Sequence, residues 1–180
     1  FVKAKGAVLF SLAAEFCPDD LDLIGVDISK PMTNKARALL KEHYPHHHIT
    51  IIEQDINQVQ LQECDMIVLN LTLQFLPPDT RLELLQKCHQ SLAKGGILIL
   101  TEKIHLQNEE DDAWQVERYY DFKRANGYSE LEISGKRNAL ENVLITDTKD
   151  THYQRLHQAG FERVLSWFSF LNFTSMIAFK

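Results

Sequence analysis

Asp19-Asp20-Leu21-Asp22-Leu23-Ile24-Gly25-Val26-Asp27 decides the fold, together with the segment Ser29-Lys30-Pro31-Met32 that follows it. The first stretch becomes apolar and ends on an acid, which predicts a buried β-strand. The second predicts a helix with Ser29 as its N-cap and Pro31 in its first turn. A buried strand that passes directly into a helix is the repeating unit of parallel α/β sheets.

The same alternation of apolar runs and helix signals continues along the chain. Short apolar runs at residues 49–52, 66–69 and 97–100 predict three more buried strands. A helix is expected after Pro78, with the segment Lys94-Gly95-Gly96 closing it. Residues 148–160 predict a last helix, and residues 164–170 and 172–179 predict two strands that form a hairpin. The expected class is therefore α/β, with a mostly parallel sheet and a C-terminal antiparallel hairpin.

One domain accounts for the whole chain, residues 1–180, because this length fits a single core. Residues from about 105 to 147 are polar and helix-forming, so we expect a helical insert there. No apolar run is long enough to cross a bilayer, and the three cysteines form no CxxC pair. These features predict a cytoplasmic protein with reduced thiols and no membrane partner.

The charge balance argues against direct binding of nucleic acid. The formal net charge is −6, whereas a protein that grips nucleic acid by itself usually carries a basic stripe. The segment His46-His47-His48 does not predict a metal site, because consecutive side chains point in different directions and do not converge on one ion. We therefore expect neither a nucleic-acid partner nor a metal.

The start of the chain lacks the glycine-rich turn that normally follows the first strand of a ligand-binding sheet of this class. Phe1-Val2-Lys3-Ala4-Lys5-Gly6 passes directly into residues 7–16, which predict a helix. Because the approach to such a strand and the helix after it are both recognisable, we expect that a segment near Gly6 is missing. The N-terminal part of the domain would then be incomplete.

Polar residues stand at the ends of three predicted strands. In open α/β sheets, ligands bind beyond the carboxyl ends of the strands. Asp27 suits the two hydroxyls of a ribose, and Asp55-Ile56 offers a polar edge and an apolar face to an adenine ring. Asn70 could meet the amino-acid region of such a ligand. Each residue alone is more often a cap or turn residue, but the three together predict a nucleotide-binding site.

Three later stretches resemble one family closely. They are Val68-Leu69-Asn70-Leu71-Thr72-Leu73-Gln74-Phe75-Leu76, the run DFKRANGYSELEIS at residues 121–134, and KRNALENV at residues 136–143. Through them the chain resembles the bacterial carboxy-S-adenosyl-L-methionine synthase family, from about residue 20 to residue 180. The resemblance implies a Rossmann-like methyltransferase fold that binds S-adenosyl-L-methionine, and a homodimer.

The resemblance also implies a reaction. Enzymes of this family take carbon dioxide from prephenate, which releases phenylpyruvate. They add it to the methyl group of S-adenosyl-L-methionine to give carboxy-S-adenosyl-L-methionine. A separate enzyme uses that product to modify the wobble uridine of tRNA to 5-oxyacetyluridine. The base that removes the methyl proton is not identified by the resemblance.

Cofactor-binding roles carry over from the family to Asp27, Ile28, Asp55, Ile56, Asn70 and Arg137. Ile28 departs from the asparagine common in the family, which leaves only apolar or backbone contact. Arg137 matches the arginine that the family sets against the new carboxylate, which a guanidinium fork binds bidentately. Without the resemblance, Arg137 would be taken as a solvated helix residue paired with Glu141.

Two other functions fit the same pattern. A conventional methyltransferase acting on tRNA or on a small molecule would share the fold, and a non-enzymatic protein could hold the cofactor. Lys123, Arg124 and Tyr128 are candidates for binding the carboxylates of prephenate, although structural roles explain them as well. Glu102-Lys103 follows the strand expected at residues 97–100 and could line the far side of the pocket.

Overall fold

The apolar runs of the sequence become the strands of one sheet in the computed structural model, which describes residues 2–3, 7–16, 21–140 and 143–180. The strands are β1 (Val2–Lys3), β2 (Asp22–Asp27), β3 (His48–Glu53), β4 (Cys64–Asn70), β5 (Leu92–Lys103), β6 (Arg163–Phe170) and β7 (Phe173–Phe179). The helices are α1 (Ala7–Glu15), α2 (Lys30–His43), α3 (Arg81–Ser91), α4 (Glu109–Ala125), α5 (Glu130–Leu140) and α6 (Lys149–Gln158). Gly6 and its neighbours 4 and 5 lie outside the described residues.

The strand order is β3-β2-β1-β4-β5-β7-β6. Strands β1 to β5 pair in parallel, whereas β7 runs antiparallel to both β5 and β6. The chain first builds outward from β1 to β3 and then returns to add β4 and β5 on the other side. The order therefore reverses between β1 and β4, where open α/β sheets bind ligands at their carboxyl ends. The predicted α/β class and the C-terminal hairpin are confirmed.

Strand β5 starts earlier than the sequence pattern predicts. Helix α3 ends at Ser91, and Leu92 is already extended, so Lys94-Gly95-Gly96 lies inside the strand and does not close the helix. The pairing with β4 is irregular here, because Cys64 pairs with Leu92 but Met66 pairs with Ile97. Gly95 takes φ +81°, a value that glycine adopts without strain. The extra residues bulge from the strand and leave its apolar part in register.

Helices cover both faces of the sheet. On one face, residues of β4 and β5 pack against α3 and α6 in a core that includes Leu69, Leu84, Leu98 and Leu156. On the other face, α1 and α2 pack on β2 in a smaller core. Gly25 of β2 permits this close approach, because a Cβ there would lie 2.7 Å from a methyl carbon of Leu9. Strands buried on both faces explain the near-continuous apolar runs.

A buried arginine at the start of α3 joins the sheet to the region after α5. Arg81 is fully buried, and its guanidinium donates to the carbonyl oxygens of Leu76 and Ile145 at 2.9 Å. It also pairs with the Asp147 carboxylate, which Arg155 contacts at 2.7 Å. Because a buried charge is tolerated only when its donors are paired, this cluster fixes the path of residues 145–147.

A buried glutamate holds the loop that follows β4. The Glu102 carboxylate accepts hydrogen bonds from the backbone N–H groups of Thr72 (2.8 Å), Leu73 (2.7 Å) and Gln74 (3.2 Å). Burial raises the pKa of Glu102 to about 7, against the opposing effects of these N–H groups and of the Arg81 guanidinium. Glu102 therefore positions the backbone of this loop from the neighbouring strand.

The raised pKa of Glu102 predicts a pH-dependent stability. Between about pH 4.5 and about pH 7, folded Glu102 keeps its proton whereas an unfolded glutamate has released it, so the free energy of unfolding should fall as the pH rises. Glu102→Gln removes this titratable group. The pH dependence of the free energy of unfolding should then lose a slope of up to about 1.4 kcal/mol per pH unit.

Urea denaturation of both proteins across this pH range measures the difference in slope. Exposed Glu83→Gln is the matched control and should keep the slope of the parent protein. Parallel curves for the parent and Glu102→Gln would contradict the prediction.

Candidate functional site

The polar residues singled out in the sequence come to one edge of the sheet. Asp27 ends β2, Asn70 ends β4, and Asp55 follows two residues after the end of β3. Because these three strands are parallel members of one sheet, their carboxyl ends share an edge, which is the ligand-binding edge of this class. The three residues therefore flank the point where the strand order reverses.

Asp27 is half-buried, and its Oδ1 accepts a hydrogen bond from the Ser29 backbone N–H at 2.8 Å. This bond turns the chain into α2. Ser29 is the N-cap residue, as predicted, but its side chain makes no capping bond. Ile28 between them is 63% exposed, so its apolar side chain faces outward from the same turn. Asp27 thus combines a turn role with a position at the ligand edge.

Asp55 and Ile56 differ in how far their side chains are accessible to a ligand. Asp55 is half-buried, and its Oδ1 accepts from the Asn57 backbone N–H at 2.9 Å. Ile56 is only 6% exposed and belongs to the core that packs on β4 and β5. The pair therefore presents a carboxylate, and any contact of Ile56 with a ligand would be made chiefly through its backbone.

The loop after Asn70 forms one wall of a cavity. Leu71 adopts φ +52°, and its N–H donates to the Thr101 carbonyl oxygen at 2.7 Å. Glu102 holds the next three N–H groups, and the Gln74 side-chain oxygen accepts from the Lys103 N–H at 3.0 Å. These bonds turn the chain sharply away from the sheet at the end of β4.

This cavity has a volume of about 490 Å³ and lies between the loop, the end of β5 and helices α4 and α5. Its lining is strongly basic and aromatic, and it contains no acidic residue among the described part of the chain. The lining residues are Leu71, Gln74, Phe75, Lys103, Tyr119, Tyr120, Lys123, Lys136, Arg137, Leu140, Leu144 and Phe173. Such a lining suits an anion that carries an apolar ring.

Arg137 lies on α5, where it is exposed and lines both this cavity and a shallower one of about 440 Å³ beside it. The partner considered for it from the sequence, Glu141, lies outside the described residues. Arg137 thus lines the cavity from α5, whereas Lys103 and Phe173 line it from the sheet.

The three residues considered for substrate binding, Lys123, Arg124 and Tyr128, lie in different surroundings in the structure. Lys123 lines the cavity. Arg124 instead pairs at the surface with three carboxylates, those of Glu117, Asp121 and Glu130, at 2.6–3.0 Å. Tyr128 is 49% exposed and does not line the cavity. Glu102 and Lys103 also differ in their surroundings. Glu102 is buried under the loop, whereas Lys103 lines the cavity.

Sequence reasoning missed Tyr119, Tyr120 and Lys136 as lining residues. Tyr119 and Tyr120 stand one helical turn before Lys123 on α4, and that spacing was the available signal. Within the described residues, no group of three potential ligands could hold a metal ion. Of the helices described, none has the length and apolar character that crossing a membrane requires.

Comparisons with known proteins agree on family and fold. Residues 4–96 match the model of a methyltransferase domain. Curated relatives named carboxy-S-adenosyl-L-methionine synthase include those of Psychrobacter sp. strain PRwf-1 and Chromohalobacter salexigens. The first is 63% identical over 92% of this chain and 60% of the relative, and the second is 55% identical over 97% and 65%. The relative from Geobacter sp. strain M21 is 46% identical over 97% of this chain and 72% of its own length.

Solved structures show the same fold at low identity. PigF with SAH has a TM-score of 0.68 at 16% identity, covering 99% of this chain and 49% of that one. Human N-acetylserotonin methyltransferase in complex with SAM has a TM-score of 0.64 at 18% identity, covering 98% and 45%. The chain spans about 60–67% of the length of the first three curated relatives. With identities of 42–63% to relatives of one name, the chain belongs to the carboxy-S-adenosyl-L-methionine synthase family.

Proposed function

We propose that the protein converts S-adenosyl-L-methionine and prephenate to carboxy-S-adenosyl-L-methionine and phenylpyruvate. The observation that carries this proposal is the cavity at the end of β4, whose charged lining residues, among those that the structure describes, are all cationic. Both the donor and the product of this reaction carry carboxylates that such a lining attracts. We propose further that the product supplies a separate enzyme that modifies the wobble uridine of tRNA, in the cytoplasm.

The cofactor would lie along the carboxyl edge of the sheet. Asp27 would accept hydrogen bonds from the ribose hydroxyls, and the Asp55-Ile56 segment would lie against the adenine. Asn70 would meet the amino-acid or sulfonium region, because it directly precedes Leu71 on the cavity wall. This order would place the reacting methyl group towards the cavity and away from α2. Ile28 would add only an apolar or backbone contact.

Arg137 would recognise the carboxylate that the reaction adds. The product differs from S-adenosyl-L-methionine by one planar anionic group on the methyl carbon, and a guanidinium fork binds such a group with two parallel hydrogen bonds. The position of Arg137 on the cavity wall supports this role. Its exposure leaves the fork free to turn towards either cavity that it lines.

The atoms of the reaction balance without a further reactant. Prephenate loses its ring carboxylate as carbon dioxide and its ring hydroxyl as hydroxide, which leaves phenylpyruvate. The methyl group loses a proton, which combines with the hydroxide as water, and the methyl carbon forms a bond to carbon dioxide. The chain's own residues would bind and orient the two reactants and exclude bulk water from the cavity.

The synthase proposal is tested by the mass of the cofactor. After incubation of purified protein with S-adenosyl-L-methionine and prephenate, we expect mass spectrometry to show a gain of one carbon dioxide on the cofactor and an equal amount of phenylpyruvate. Prephenate alone and cofactor alone are the controls. Loss of the methyl group to tRNA would support the conventional methyltransferase, which shares this fold. Binding without conversion would support a non-enzymatic role.

Arg137→Ala should weaken binding of the carboxylated product much more than binding of S-adenosyl-L-methionine. We expect the affinity for carboxy-S-adenosyl-L-methionine to fall about 10- to 100-fold, because a charge-assisted pair contributes about 1.5–3 kcal/mol. The affinity for S-adenosyl-L-methionine should change less than about threefold, a change of well under 1 kcal/mol. Isothermal titration calorimetry measures both, with Arg118→Ala, an exposed arginine of α4, as the matched control. Equal losses for the two ligands would assign Arg137 a structural role.

We also propose that the protein is a homodimer joined through the outer strand of its sheet. Strand β6 is at the end of the strand order, and its Leu165, Trp167 and Phe168 are 49–60% exposed. Trp114 of α4 is exposed as well, at 65%. Exposed apolar side chains concentrated on an edge strand are typical of an interface.

Phe168→Glu would place a charge in this interface. We expect sedimentation velocity to show a dimer for the parent protein and a monomer for the variant. Leu131→Glu, on the exposed face of α5, is the control and should remain dimeric. A parent protein that sediments as a monomer at all concentrations would contradict the proposal.

A further inference from the structure

Two lysines from distant parts of the sequence meet on one aromatic ring inside the cavity. The Lys123 Nζ lies 4.5 Å from the centroid of the Tyr119 ring, and the Lys103 Nζ lies 5.6 Å from the same centroid. Lys103 ends β5, whereas Lys123 and Tyr119 are one turn apart on α4. The Tyr119 ring packs edge-on against the ring of Phe173, with the two centroids 5.4 Å apart. Both ammonium groups therefore lie close to the same ring, and both lysines line the cavity.

Neither lysine is neutralised by an ion pair within the described residues. Burial lowers the pKa of Lys123, and the charges of Lys136 and Lys103 lower it further. Burial also lowers the pKa of Lys103, with Asp112 as the one carboxylate that acts in the opposite direction. Two like charges held together in a partly buried place cost free energy, and an anion placed between them would offset that cost.

The neighbouring Arg124 shows that this arrangement is particular to the cavity. Three carboxylates surround the Arg124 guanidinium at the surface. The adjacent Lys123 lines the cavity instead and pairs with no carboxylate of the described residues. Consecutive basic residues of the same helix therefore differ, since one is neutralised by the protein and the other faces a binding cavity.

We propose that Lys103 and Lys123 form a carboxylate subsite, separate from Arg137, that binds the carboxylate which the donor keeps. This inference rests on the proposed synthase function. The donor has one carboxylate that leaves as carbon dioxide and one that remains in the 2-oxo acid product. A cation held on the departing carboxylate would stabilise the ground state and oppose the loss of its charge. The lysine pair therefore binds the retained carboxylate. Phe75, Phe173 and Leu140, which line the same cavity, contact the six-membered ring of the donor.

Phenylpyruvate is the probe, because it carries the retained carboxylate and lacks the one that is lost. For Lys123→Met and Lys103→Met we expect phenylpyruvate affinity to fall about 10-fold or more, as for loss of a charge-assisted hydrogen bond. The KM for prephenate should rise by a similar factor. The affinity for S-adenosyl-L-methionine should stay within about threefold, which also shows that the variants fold.

Lys149→Met is the matched control, because the Lys149 Nζ also lies over a ring, that of Tyr153 at 5.7 Å, but outside the cavity. It should leave all three constants unchanged. Lys123→Arg keeps the charge and should recover most of the phenylpyruvate affinity. A loss confined to kcat, with KM and phenylpyruvate affinity unchanged, would overturn the subsite.

Phenylpyruvate binding and the cofactor mass assay together test the subsite and the synthase function independently. Phenylpyruvate that binds the parent and both lysine variants equally, in a protein that does carboxylate its cofactor, refutes the subsite alone. Lysine-dependent binding of phenylpyruvate without any cofactor mass gain supports the subsite and refutes the synthase. A parent protein that does not bind phenylpyruvate refutes the subsite whatever the mass assay shows.

Discussion

The geometry of the cavity depends on the buried guanidinium of Arg81. A fully buried cation must satisfy its donors, and Arg81 does so with the Leu76 and Ile145 carbonyl oxygens and the Asp147 carboxylate. Leu76 ends the loop that forms one wall of the cavity. Ile145 follows the helix that forms the opposite wall. Because one side chain holds both, the two walls keep a fixed distance although nearly seventy residues separate them in sequence.

Glu102 completes this arrangement from the sheet side. It holds three consecutive N–H groups of the same loop, and the positive charge of Arg81 favours its ionised form. The loop is thus held at its start by the carboxyl group of Glu102 and at its end by the guanidinium of Arg81. A loop held at both ends can keep Leu71 at positive φ, a conformation that a leucine rarely adopts by itself.

The sequence was sufficient for most of the sheet because buried parallel strands leave unmistakable apolar runs. It also indicated which polar residues, such as Asp27 and Asn70, stand at the carboxyl ends of strands, whereas their contact with a cofactor stays a prediction. It failed at the start of β5, where an irregular pairing around Gly95 extends a strand through residues that resemble a helix end. Only the tertiary pairing of Cys64 with Leu92 reveals that extension.

The lining of the cavity was less accessible to sequence reasoning for a different reason. Lys103, Lys123 and Lys136 come from one strand and two helices, and no pattern of spacing links them. Arg124 and Lys123 are adjacent and chemically alike, yet packing turns one outward to its carboxylates and the other inward. Side-chain direction on a polar helix depends on its neighbours in space, so a match of sequence motif indicates the region but not the individual side chains.

The absence of an acid from the described lining has a consequence for selectivity. With four cationic groups around one space of about 490 Å³, mutual repulsion is part of the folded protein. A neutral molecule of the right outline would fill the space and leave that repulsion in place, whereas a dianion would relieve it. In the proposed reaction, the cavity would therefore select its ligand by the number of negative charges first and by shape second.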